Sequence, residues 1–100
     1  MKISFSEQDL IDAVCRWGAD RYRTDPMDVQ AELRFQHSIG ITAEVTWKDR
    51  TKGPLHLTEE DIIDSTGDYL SRQHLFPPDR LTIELMYDQE EGFGADIIVL

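Results

Sequence analysis

SEQDLID, residues 6–12, and TEEDIID, residues 58–64, say nearly the same thing 52 positions apart. Aligning residue n with n+52 needs no gap from Ser6/Thr58 to Lys48/Leu100. Nine pairs are then identical: Glu7/Glu59, Asp9/Asp61, Ile11/Ile63, Asp12/Asp64, Pro26/Pro78, Glu32/Glu84, Leu33/Leu85, Gly40/Gly92 and Ala43/Ala95. Others keep their character, such as Trp17/Tyr69, Phe35/Tyr87, Glu44/Asp96 and Val45/Ile97. A gapless match of this length reads as a duplicated supersecondary unit.

The quoted stretches open a helix in each copy. Ser6 and Thr58 are N-cap residues whose hydroxyls accept from free first-turn amides. Asp9 and Asp61 stand three positions on, where a carboxylate can reach back as in a capping box. Phe5 and Leu57 precede the caps, and Leu10 and Ile62 follow at hydrophobic-staple spacing. The first helix spans about Glu7 to Arg23, with an apolar stripe at Leu10, Val14, Trp17 and Arg21 flanked by Ile11, Cys15, Gly18 and Tyr22. The second spans about Glu59 to His74, with Ile62, Ile63, Thr66, Tyr69 and Leu70. Pro26 and Pro77-Pro78 are read as closing the helices.

Two alternating runs follow each helix. Val29, Ala31, Leu33 and Phe35 alternate with polar residues, as do Ile41, Ala43, Val45 and Trp47. The second copy repeats this with Leu81, Ile83, Leu85 and Tyr87, then Phe93, Ala95, Ile97 and Val99. A period of two indicates half-buried antiparallel strands, joined as hairpins through loops with Gly40, Gly92 and Gly94. Short extended pieces at Ile3–Phe5 and Leu55–Leu57 precede the helices. The expected fold is α+β: a duplicated (β)αββ unit, with two helices on one face of an antiparallel sheet. The chain is expected to be a single domain, 1–100, of two repeats at about 2–48 and 54–100 with a linker at 49–53. The order in which strands pair across the repeats is open.

Composition narrows the function classes. The formal charge is −10, and residues 54–100 carry eleven acids against two bases. That disfavours direct binding to nucleic acid or an anionic membrane, both of which call for Lys and Arg clusters. The longest apolar run, Ile97 to Leu100, is far short of a membrane span. The single Cys15, the absence of Asn and the polar N-terminus fit a cytoplasmic protein.

The stretches IELMYDQEEGFGADIIVL, residues 83–100, and SEQDLIDAVCRW, residues 6–17, resemble the YxcD-like family of uncharacterised small bacterial proteins. The resemblance covers most of the chain. It implies a small cytoplasmic bacterial protein and carries over no catalytic or binding residues.

Two surface features stand out. Side-chain parity restricts hairpin register, because a one-residue slip flips every side chain. The most compact register sets Leu33 opposite Ala43 and Phe35 opposite Ile41. It also sets Glu32 opposite Glu44, and Glu84 opposite Asp96. Opposed like charges cost about 0.2–1 kcal/mol, so a divalent-cation site of these four carboxylates is one reading. A two-residue register shift bringing Thr42 or Thr46 opposite Glu32, or solvation beside Arg34 and Lys48, is the plainer one. Second, Ile98, Leu100 and Met86 fall on the outward face. A strand apolar on both faces wants cover on both, either from another protomer or partner or else by fraying of the terminus.

Other candidates are bland. Cys15 reads as a small core residue. His37, His56 and His74 follow no ligand spacing. Gly92-Phe93-Gly94 precedes a strand where a phosphate loop precedes a helix, and no serine sits in a nucleophile-elbow pattern. No cofactor is indicated, and an enzyme is disfavoured. The reading is a non-enzymatic, homodimeric binding or regulatory module associating through Met86, Ile98 and Leu100. The alternatives are a divalent-cation protein or small metal-dependent enzyme using the carboxylates, and an acidic decoy of a nucleic-acid-binding protein.

Overall fold

The computed structural model describes all residues, Met1–Leu100. Each half runs strand, helix, hairpin. The first contains β1 (Lys2–Phe5), α1 (Glu7–Tyr22), β2 (Val29–Gln36) and β3 (Gly40–Trp47). The second contains β4 (Leu55–Leu57), α2 (Glu59–His74), β5 (Leu81–Asp88) and β6 (Gly92–Val99). The chain is thus an α+β protein built from a duplicated unit, as the repeat indicates. Both helices start with a full capping box: Asp9 N–H donates to the Ser6 hydroxyl, while Ser6 N–H donates to the Asp9 carboxylate at 2.8 Å. Thr58 and Asp61 do the same. The helix stops are not made by proline. Arg23 and Leu75, again 52 apart, take left-handed conformations with φ of 54° and 60° and end the helices. Pro26 and Pro78 instead open short 3-10 turns leading into β2 and β5, where their missing N–H costs nothing.

The strands form two three-stranded antiparallel sheets where one continuous sheet was expected. Sheet A has the order β1-β6-β5 and sheet B the order β2-β3-β4. The short strands are therefore exchanged: β1 pairs with the second unit's hairpin and β4 with the first unit's. The start of each helix shows why. The Glu59 carboxylate accepts from Ile41 N–H at 2.8 Å, and the Glu7 carboxylate accepts from Phe93 N–H at 3.2 Å. Each helix is pinned by its first residue to the other unit's hairpin, so the strand just before it lies beside that hairpin. No ladder joins β2 to β5, and only the ends of the two strands nearest the hairpin loops touch. There Phe35 stacks on Tyr87 at 4.5 Å and 14°, and between the two helices Asp20 pairs with Arg72 at 3.0 Å. Both contacts join positions 52 apart, so they mark a pseudo-two-fold axis.

The core is two connected clusters. One gathers Val14, Val29, Val45, Trp47 and Ile62, the other Leu10, Leu70, Ala95 and Ile97, and Leu33, Leu85 and Phe93 pack against both. The buried face of α1 is Leu10, Ala13, Val14, Gly18 and Ala19, rotated from the stripe read in the sequence. Trp17 is half-buried and Arg21 is exposed, its guanidinium 5.6 Å from the Trp17 ring. The shift has a simple cause: Ala13, Gly18 and Ala19 are small enough to let the helix approach the sheets closely, and size patterning is invisible to a polarity count. In α2 the buried face is Ile62, Ser65, Thr66 and Leu70. Ser65 and Thr66 satisfy their hydroxyls by donating to the carbonyls of Asp61 and Ile62, each at 2.8 Å.

Candidate functional site

The hairpin registers place the residues singled out above. Leu33 faces Ala43 and Phe35 faces Ile41 across β2 and β3, and the same register recurs in β5 and β6. Both hairpins close with three-residue loops ending at a glycine of positive φ, Gly40 at 94° and Gly92 at 81°. That geometry needs φ > 0 at the last position. It fixes which side chains face outward.

On the outer face of sheet A, Met86 stands opposite Gly94, and Ile98 opposite Thr82 on one side and Lys2 on the other. Met86 is 40% exposed, Ile98 38% and Leu100 78%. Leu100 is not frayed: its N–H donates to the Arg80 carbonyl at 2.9 Å, and Val99 N–H donates to the Met1 carbonyl at 2.8 Å. Ile98 thus stands on the central strand of sheet A, and the backbone just beyond it is paired on both sides. Glu84 and Asp96 form a facing pair between Met86 and Ile98. Asp96 is met by Lys2 Nζ at 3.3 Å and by the Ser4 hydroxyl at 3.2 Å.

The duplicated scaffold supplies an internal comparison. Positions 34, 46 and 48 of the first unit correspond to 86, 98 and 100, and they carry Arg34, Thr46 and Lys48. The scaffold thus folds with polar residues at these three places. Nothing in the fold itself calls for Met86, Ile98 and Leu100.

Glu32 and Glu44 face each other on sheet B. Arg34 lies between them, 3.5 Å from Glu32 and 3.7 Å from Glu44, and His56 on β4 is 3.7 Å from Glu44. Glu84 and Asp96 belong to the other sheet. The fold does not bring the two carboxylate pairs together, and no group of three or more His, Cys, Asp or Glu side chains is arranged to hold a metal.

The three histidines lie apart. His37 is edge-on to Phe35 in the first hairpin loop, His56 is on β4, and His74 ends α2 against Tyr69 and Phe76. Cys15 is half-buried, its thiol donating to the Val29 carbonyl at 3.5 Å. Burial, and then the charge of Asp12, push its pKa up, so the group stays a thiol at neutral pH and is a poor nucleophile.

Polarity patterning missed one site, a groove of about 780 Å³ between α1 and the start of β2, with Tyr69 of α2 at its side. Its floor includes Cys15 and Ala31, its rim Asp12, Arg16, Glu32 and Glu44. The one sequence signal for it is a size difference between the units, because Ala31 stands where the second unit has Ile83.

No helix is long and apolar enough to cross a membrane. A family model described as a protein of unknown function (DUF2653) matches the chain twice, over residues 1–55 and 53–100. The curated relative "Uncharacterized protein YxcD" of Bacillus subtilis (strain 168) is 30% identical over 100 residues, covering 99% of this chain and 95% of that protein. No solved structure matches the chain.

Proposed function

The chain belongs to the DUF2653 family, and from that premise we propose that it is a non-enzymatic binding or regulatory module, working as a homodimer in the cytoplasm. Association uses the outer face of sheet A. The observation that carries this reading is the internal comparison: Met86, Ile98 and Leu100 replace Arg34, Thr46 and Lys48 of the equivalent face. A duplicated unit that keeps these three outward positions polar in one copy and apolar in the other has acquired something to cover on that side. Isolated exposed apolar residues are ordinary. Three at equivalent outward positions of one sheet, with Ile98 on its central strand, are less so.

Two-fold apposition in this reading sets Met86 of one copy over Ile98 and Leu100 of the other. The carboxylate pair then lies between these contacts, with Asp96 already neutralised by Lys2. A self-complementary face of this kind closes at two copies, and a stable interface buries about 800 Å² on each partner. Replacing Ile98 by Asp tests the face. Light-scattering mass should fall from dimer to monomer for Ile98→Asp, while Thr46→Asp at the equivalent position of sheet B leaves the mass unchanged. An Ile98→Asp protein with unaltered mass and solubility rules the face out.

A further inference from the structure

Four consecutive residues of β2, Val29 to Glu32, line the groove beside α1. Consecutive strand residues point to opposite faces, so a groove touching all four must run along the strand's edge. That edge is open. Lys48 N–H donates to the Asp28 carbonyl at 2.8 Å, which makes Asp28 and Lys48 a hydrogen-bonded pair of the antiparallel ladder. Hydrogen-bonded and non-hydrogen-bonded pairs alternate. Gln30 and Glu32 therefore turn their main-chain groups toward β3, while Val29, Ala31 and Leu33 turn theirs outward. The Val29 carbonyl receives the long bond from Cys15, and the Ala31 N–H and C=O have no partner.

The second unit carries different side chains at the same place. Ile83 occupies the position of Ala31, and its Cδ1 lies 3.6 Å from where a Cβ on Gly67, the counterpart of Cys15, would stand. In the first unit the smaller Ala31 lines the groove together with Cys15. The rim is acidic on balance, with Asp12, Glu32 and Glu44 against Arg16. Arg34 attends Glu32 and Glu44 from the outer face. Asp12 forms no ion pair and accepts only from the Gln8 amide at 2.9 Å.

The geometry points to a peptide site: a short extended segment of a partner protein, bearing Lys or Arg, adds as a strand to the β2 edge between Ala31 and α1. Main-chain bonds to Ala31 supply the pairing, and alternate side chains meet the apolar floor and the acidic rim, the arrangement of strand addition. An acidic segment, including this chain's own β5 with Glu84, meets like charge there. The site lies on sheet B and α1, away from Met86, Ile98 and Leu100, so it stands or falls separately from the dimer face.

The probe is a phage-displayed library of random decapeptides selected on the immobilised full chain. Winners are then made as labelled synthetic peptides and measured by fluorescence anisotropy. Enriched sequences should carry Lys or Arg at alternating positions. Their binding should weaken by about tenfold or more in Ala31→Ile, which copies the second unit. It should also weaken in Ala31→Pro, which removes only the outward N–H and suits an edge strand. Bound peptide should slow alkylation of Cys15, the single cysteine. No enrichment over blank support, winners without basic residues, or winners that bind both variants as tightly as the parent chain would each overturn the proposal. A self-associated parent chain that Ala31→Ile dissociates would assign the groove to a second copy and overturn it equally.

Discussion

Thr66 and Ser65 fill core positions that the first unit fills with Val14 and Ala13. Their hydroxyls bond back to the helix's own carbonyls, which settles the desolvation cost but adds no tertiary contact. The Ile62 carbonyl keeps its place in the helical bonding of α2, so a methyl in place of the hydroxyl leaves no buried group unpaired. Thr66→Val should therefore raise the urea midpoint, by about 0.5–1 kcal/mol in unfolding free energy. A loss of stability would show that the hydroxyl has a role beyond its helix. Cys15 gives the pH-dependent case. Its folded pKa is raised from the ordinary 9.0, by burial first and Asp12 second. The stability it lends is thus fully present below the unfolded value and is lost as pH rises through the folded one. Alkylation by iodoacetamide at pH 8 should be slower in the native chain than in urea, and equal rates would contradict that. At this scale the sequence was readable where a residue acts on near neighbours, as Ser6 and Asp9 do. It was not readable for Glu7, whose bond to Phe93 joins positions 86 apart.

The two braces decide how the elements are joined. Glu59 holds Ile41 N–H and Glu7 holds Phe93 N–H, which accounts for the identity of Glu7/Glu59 and Gly40/Gly92 across the repeat. A Cβ at Gly40 would clash with the Glu59 carboxylate. Glu59→Ala should cost about 1–2 kcal/mol, the range for leaving a partly buried donor unsatisfied. It should also speed hydrogen exchange at the Ile41 amide while leaving Phe93 unchanged. Equal exchange at Ile41 before and after would mean the brace is incidental. The hairpin registers were legible because parity and the loop glycines restrict them. The exchange of β1 and β4 was not, since three or four residues of extended chain carry no pattern that names a partner. The prolines misled for a related reason: their fixed φ suits a helix exit and a 3-10 entry alike.

The whole molecule is a near-symmetric scaffold with asymmetric surfaces. Its pseudo-two-fold axis runs through the Asp20–Arg72 pair and the Phe35–Tyr87 stack. Around that axis the units differ where the fold does not need them to: Met86, Ile98 and Leu100 against Arg34, Thr46 and Lys48 on the outer faces, and Ile83 against Ala31 beside the helices. The four carboxylates weighed in the sequence as a cation site lie as two facing pairs on two sheets. The outward apolar residues were legible from parity alone. Their significance required the alignment of 34, 46 and 48 with 86, 98 and 100. The measurement that bears most directly on the proposed dimer is the mass of the native chain in solution, by size-exclusion chromatography with light scattering over a range of concentrations. The account predicts twice the 11.6 kDa of the chain, and a mass that stays at the single-chain value at the highest concentration would contradict it.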